Sequence, residues 1–413
     1  MASLQADRDI LRLLAEAYAA IARLDIQKER MERYYGTNDR QQVRPVVLID
    51  EVPWGEIRDD ALVNRCELPE HQGLEGLLRR SLYQWHHFQV DKVFNPVFQV
   101  GKQIRSTGIG LEVRETRLES DTGTYAAAHE YEDQLQTDED LERLQVPEIS
   151  CDREATERSA EVAAEVFEGL MDVEVVGSVF QYNIWDQIAC FRGVDKLLMD
   201  LAVRPDFMHR TARRFMEIAA ATFRQYVDLD LLHTSPLILH CTPALSRDLP
   251  APDFAGTVRP QDAWGRCSAQ IFSAVSPAMH DEFDLEYNQQ IFGECGLLYY
   301  GCCEPMDTKI DILRQRFPNL RKVSITPWAD FEVAAERMGS DLVMAAKPNP
   351  AFVGAPTYDP EPVREELHRI LGACRRHGTT CELVIKDIST IANRPENLTR
   401  WAATVDEVVD QYY

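Results

Sequence analysis

The segment GLLYYGCCEP, residues 296–305, is an apolar run that ends in two cysteines, a glutamate and a proline. Its body suits a buried strand, and its polar groups lie only at the C-terminal tip. The pattern recurs through the second half of the chain. PLILHC (236–241), RKVSIT (321–326), DLVMAAK (341–347) and CELVIKD (381–387) are apolar runs of the same kind. Their tips carry His240 and Cys241; Cys302, Cys303 and Glu304; Trp328 and Asp330 in TPWAD; Lys347 and Asn349 in KPNP; and Lys386 and Asp387 in KDIST. Helical segments such as MDTKIDILRQRF and PEPVREELHRILGACRRHG separate the runs. Strands alternating with helices at this spacing run parallel and need crossovers. A site built from strand tips belongs to a barrel or to an open doubly wound sheet. No GxGxxG or GxxxxGK(S/T) loop follows a strand, so no nucleotide cofactor is expected. The expected architecture is therefore α/β: a single (β/α)8 TIM barrel over 41–413, after an N-terminal helical extension over 1–40.

Working outward, RPVVLIDEVPW (44–54) supplies the first strand. VDKVFNPVFQVG (90–101) and VEVVGSVF (173–180) supply others. Around 116–165 the chain turns polar and acidic, which reads as an insertion with helical pieces and a solvated face.

Hydrophobic residues make up 45% of the 413 residues and charged ones 27%, with a net charge of −24. Such a chain can bury a large core. It shows no basic cluster for phosphates, so neither nucleic acid nor an anionic membrane surface is an expected partner. No apolar run is long enough to span a bilayer. MASLQADRDILRLL reads as an amphipathic helix start rather than a signal peptide, and a cytoplasmic location is expected. The ten cysteines contain no CxxC, which excludes a zinc ribbon. Most should be buried small hydrophobes.

Neighbouring residues on a strand face opposite ways. Only one of Cys302 and Cys303 would then face a site, unless the chain turns at Gly301. The pair reads as metal ligands or a nucleophile on one view, and as two buried thiols on the other. Asp387, at the end of a very apolar strand, must be paired, exposed or functional; a helix cap is the plain alternative. A regular strand would point Lys386 away from it. His240 is a ligand or an ordinary structural histidine. Lys347 binds an anionic group or makes an ion pair. Asp50, Glu51 and Trp54, at the first tip, line a substrate mouth or merely end a strand.

Several of these segments resemble the uroporphyrinogen decarboxylase superfamily, which includes corrinoid-related methyltransferases and is related to cobalamin-independent methionine synthase. The likeness rests on WDQIACFRGVDKLLMDLAVRPDFMHR (185–210), FSAVSPAMHDEF (272–283), GLLYYGCCEP and IKDISTIANRPENLTRW (385–401). It covers most of 170–413. The resemblance implies a methyltransferase moving a methyl group between a small substrate or a separate corrinoid protein and an acceptor. It also implies a homodimer. Its alternatives are a metal-free decarboxylase of a porphyrinogen or another carboxylated substrate, and a non-enzymatic ligand-binding barrel. The decarboxylases carry arginines where this chain reads RPVVLIDEVPWGEI, and acids there oppose a polycarboxylate substrate. The methyltransferases hold zinc through His-x-Cys and a later Cys. Here that histidine is missing and Asp387 stands at the later cysteine. The implied zinc set is Cys302, Cys303, Glu304, Asp387 and His240. Tyr300, Trp54, Trp328, Lys347 and Asn349 would line the pocket, with Tyr300, Lys347 and Asp387 taking part in the chemistry.

Overall fold

The computed structural model describes residues 2–118 and 128–413. Seven parallel strands form its main sheet: β1 (Val46–Ile49), β2 (Phe180–Gln181), β3 (Trp264–Cys267), β4 (Leu297–Tyr300), β5 (Leu320–Ile325), β6 (Val343–Ala346) and β7 (Thr380–Ile385). Their spatial order is β1-β7-β6-β5-β4-β3-β2. Every residue of β1 and of β3 to β7 is buried. A parallel sheet covered on both faces needs such continuous apolar runs, which is why these strands stand out in the sequence.

Helices supply the crossovers. The one at Pro360–His377, between β6 and β7, is representative. Asp359 caps it by accepting from the Glu361 N–H, a proline follows at the start, and the buried stripe runs Val363, Leu367, Ile370, Leu371 and Cys374. The outward side chains of the sheet, among them Val47, Leu298, Tyr300, Val323, Met344 and Leu383, join the large core under these helices.

The opposite face is covered by a β-hairpin, Ile238–Leu239 with Thr242–Pro243, whose turn is His240–Cys241. Lys322 on β5 donates to Thr242 Oγ1 (2.6 Å), to the Pro243 carbonyl (2.7 Å) and to Glu382 of β7 (2.6 Å). Thr242 also donates to Glu382, and Trp264 Nε1 to the Ala244 carbonyl at 2.8 Å. Burial holds the Lys322 ammonium down to about 8.

This corrects one expectation and adds a strand. PLILHC does not enter the parallel sheet; it forms the first arm and the turn of the hairpin. Its place is taken by WGRC (264–267), a strand the apolar pattern did not show. Gly265 sits there because a Cβ would lie 2.7 Å from Cys295 Sγ and 2.8 Å from Phe292.

Both edges of the sheet have neighbours. The Asp91 N–H donates to the Val47 carbonyl of β1 at 2.8 Å, and the Asp91 carboxylate accepts from the Val47 N–H. Farther along the same segment, Val97–Gly101 pairs in parallel with Asp172–Val176, which leads into β2. In the acidic stretch, Glu115–Leu118 pairs with Ala128–Tyr131 and a short helix spans Asp138–Glu142. Residues 119–127 lie outside the described residues. The helix Arg153–Phe167 packs with the N-terminal helix Ala2–Ala22 through Ala163, Val166, Phe167, Leu11 and Ala15.

Candidate active site

The functional side chains meet where β1, β4 and β7 end. Gly301 follows β4 with φ +95°, and a Cβ there would lie 3.3 Å from Ser324 Cβ. This turn replaces strand alternation and brings both cysteines to one place, with their sulfurs 3.5 Å apart. Ser324 fixes the turn by donating to the Cys302 carbonyl at 2.7 Å. Lys386 extends β7 on the hairpin side. Asp387 then takes φ +55°, Glu51 at the end of β1 takes φ +51°, and His240 in the hairpin turn takes φ +58°. Left-handed backbone at three non-glycine residues around one point is the strain expected of a functional site.

Cys302, 3% exposed, is the centre. Lys386 Nζ lies 3.3 Å from its sulfur and His240 Nε2 lies 3.5 Å away. The Cys302 thiol is held far below its ordinary value. The hydrogen bond from Cys303 is the largest cause, and it acts with His240, Lys386 and Arg266 against burial. Cys303 moves up because it keeps the shared proton; its sulfur also lies 3.1 Å from Asp387 Oδ2. Burial disfavours charge on Lys386, but the Cys302 thiolate outweighs it and keeps the ammonium protonated. Asp387 Oδ1 is 3.2 Å from the same ammonium, and the Asp387 N–H donates to Glu51 at 2.8 Å. The result is a thiolate–ammonium pair, the arrangement that makes a cysteine nucleophilic.

Glu51, Trp54, Asp387, Arg80, Ile388 and Ser389 line a cavity of about 540 Å³ over this cluster. Asp50 joins Glu51, Trp54, Arg80 and Lys92 around an adjoining hollow of about 610 Å³. The carboxylates and the aromatic of the first strand tip thus stand at a mouth.

Other expected residues lie elsewhere. Tyr300 is fully buried on the helix side, 2.6 Å from His280 Nε2 and donating to Asp284 at 2.6 Å. Strand alternation turns it away from the pocket and turns Tyr299 inward. Trp328 is 72% exposed in a separate hollow with Arg369 and Arg376. Asn349 caps the short turn Pro350–Phe352 by accepting from the Ala351 N–H. Glu304 is fully buried and accepts from the Cys302 N–H at 3.0 Å and the Ala269 N–H at 3.2 Å. Its carboxylate shapes the cysteine turn and is not available as a ligand.

The expected zinc set does not fit. Among the described residues no three His, Cys, Asp or Glu side chains are grouped to hold a metal ion. Cys302, Cys303 and Asp387 instead share the Lys386 ammonium, and a dication among them would face that charge at contact distance. Arg266 is the residue the sequence did not disclose, and Lys386, though noted at its strand tip, was given no role. A regular strand would set Lys386 and Asp387 apart, and Arg266 lay in a strand too short and polar to recognise.

No family model and no curated protein sequence matches this chain. A solved structure of a methyltransferase from Methanosarcina mazei superposes with a TM-score of 0.50 and 13% identity, covering 92% of this chain and 98% of that one. At that identity the likeness concerns the fold, a mixed α/β architecture followed over nearly the whole chain.

Proposed function

We propose that this chain is a uroporphyrinogen-decarboxylase-like (β/α)8 barrel enzyme that transfers methyl groups, with the Cys302 thiolate as the attacking atom. The barrel reading draws on the Asp91 contact with β1 and the Val97–Gly101 pairing with Asp172–Val176, which bridge the two sheet edges. The thiolate–ammonium pair at the strand ends is the observation that carries the activity. A sulfur–carbon bond forms at Cys302 as the bond from the methyl group to its donor breaks, and the electron pair leaves with the donor; the acceptor thiolate then bonds to the methyl carbon as the Cys302 sulfur–carbon bond breaks, and that electron pair restores the Cys302 thiolate. Lys386 and the Cys303 thiol hold the sulfur as an anion before attack, His240 flanks it, and Asp387 orients Lys386 and Cys303. In this reading the lysine does electrostatically what a metal does for a bound thiol. The decarboxylase alternative gives the task of meeting a developing cation to Asp387 or Asp50, and of these Asp387 is already paired with Lys386. A homodimer and a separate corrinoid protein as methyl source belong to the same proposal.

The test is methyl transfer from a methylcorrinoid to a small thiol. Cys302→Ser is expected to abolish transfer, Lys386→Met to slow it by about tenfold or more, and chelator treatment to leave it unchanged. Full activity in Cys302→Ser sinks the proposal.

A further inference from the structure

We propose that Arg266 and Lys347 form a buried recess for the carboxylate of a small substrate, next to the Cys302 sulfur. Both residues continue the hairpin-side rows of their strands, Trp264–Arg266 on β3 and Ala345–Lys347 after β6, and both are buried, at 2% and 3% exposure. Tyr299 stands between them. It is the cross-strand partner of Arg266, and Lys347 Nζ lies 6.0 Å from its ring centroid. Arg266 Nε and Nη2, Lys347 Nζ and the fully buried Ser268 Oγ have no hydrogen-bond partner within the described residues.

The buried cations around the site divide sharply. Lys322 is matched by Glu382, and Lys386 by Cys302 and Asp387. Arg266 Nε and Nη2 and Lys347 Nζ have no hydrogen-bond partner among the described residues, in a chain whose net charge is −24. The nearby acids do not turn to them: Asp186 accepts from the Ile271 N–H, and Glu304 from the Ala269 and Cys302 N–H groups. Buried cationic groups whose N–H donors lack acceptors are costly, and two such groups together point to an anion that arrives from outside.

The shape of the free edge indicates which anion. Nε and Nη2 are the two nitrogens with which Arg210 grips Asp138 (2.7 and 3.2 Å) and Arg316 grips Asp281 (2.6 and 2.8 Å). Arg266 presents that same edge with no carboxylate bonded to it among the described residues. A planar carboxylate matches this fork, with Lys347 as a second charge. Arg266 also contributes to holding the Cys302 thiol low, so the recess and the sulfur share one electrostatic environment. The substrate role of the recess rests on the methyl-transfer proposal; the recess itself does not.

The test is titration calorimetry of the intact chain with sodium propionate, propionamide and inorganic phosphate at matched ionic strength. Propionate is expected to bind, propionamide not to bind, and phosphate to bind more weakly than propionate. Arg266→Gln and Lys347→Met should each weaken propionate binding about tenfold or more; Lys347→Met keeps the test decisive if Arg266→Gln does not fold. Unchanged propionate binding in both variants, or a preference for phosphate, overturns the proposal. No methyl donor is present, so loss of methyl transfer with intact propionate binding would count against the enzymatic reading alone.

Discussion

Cys302 and Asp186 show how one buried neighbourhood sets two proton affinities in opposite directions. Cys302 is an anion because Cys303, His240 and Lys386 converge on it. Asp186 is pushed up to about 7 by burial and by the charge of Glu304, and its Oδ2 has no partner. An acid raised in the folded state favours folding while it is protonated and loses that advantage as pH rises from its unfolded value near 4 to about 7. Asp186→Asn should therefore raise Tm more at pH 8 than at pH 5, and an equal shift at both contradicts this assignment. Cys302 behaves oppositely, since its thiolate persists well below the ordinary thiol range. Iodomethane should methylate it at a rate nearly flat from about pH 5 to pH 8, whereas a rate climbing through about pH 8.5 would mark an ordinary thiol. The sequence disclosed Cys302, Cys303, Asp387 and His240 as a group, because ligand-type side chains at apolar strand ends stand out. It set Lys386 and Asp387 on opposite faces, and the left-handed turn at Asp387, which it did not disclose, brings the two side chains together.

At the level of elements, the cysteine turn and the hairpin carry the site. Gly301→Ala places a Cβ in a left-handed conformation and against Ser324, so it should destabilise by roughly 1–3 kcal/mol in denaturant unfolding and raise the pKa of Cys302 by separating the sulfurs. Wild-type stability together with an unchanged alkylation profile would refute that role. The hairpin is anchored by a buried pair, Lys322 at 1% and Glu382 at 0% side-chain exposure. Glu382→Gln alone should cost roughly 3–5 kcal/mol, and a Lys322→Met, Glu382→Leu double variant should recover much of the loss. Additive losses would show that the two side chains do not act as a pair. The long strands and the Pro360–His377 helix were legible because burial on both faces and capping leave plain sequence marks. The hairpin and β3 were not. PLILHC is apolar enough to pass for a sheet strand, and only the left-handed turn at His240 reverses it, while WGRC spends one of its four positions on a close approach and another on a cation.

The whole molecule carries 68 acidic against 44 basic Lys and Arg side chains. Self-repulsion on that scale should be relieved by salt, so raising NaCl from about 0.05 M to about 0.5 M is expected to raise Tm by several degrees; a fall would mean that specific ion pairs outweigh net charge. Against this acidic background Lys386 and Arg266 act on one thiolate, with Lys347 buried beside Tyr299. The overall α/β layout was readable from alternating apolar runs, and the methyltransferase structure from Methanosarcina mazei shares that layout. The reaction was not readable, because it turns on how five strand tips meet in space. The decisive measurement is peptide mass analysis after the intact protein is incubated with an isotopically labelled methylcorrinoid. Label on Cys302, appearing about tenfold or more slowly in the Lys386→Met variant under the same conditions, is the predicted result. An unlabelled Cys302 in a protein that nonetheless transfers methyl groups would contradict it.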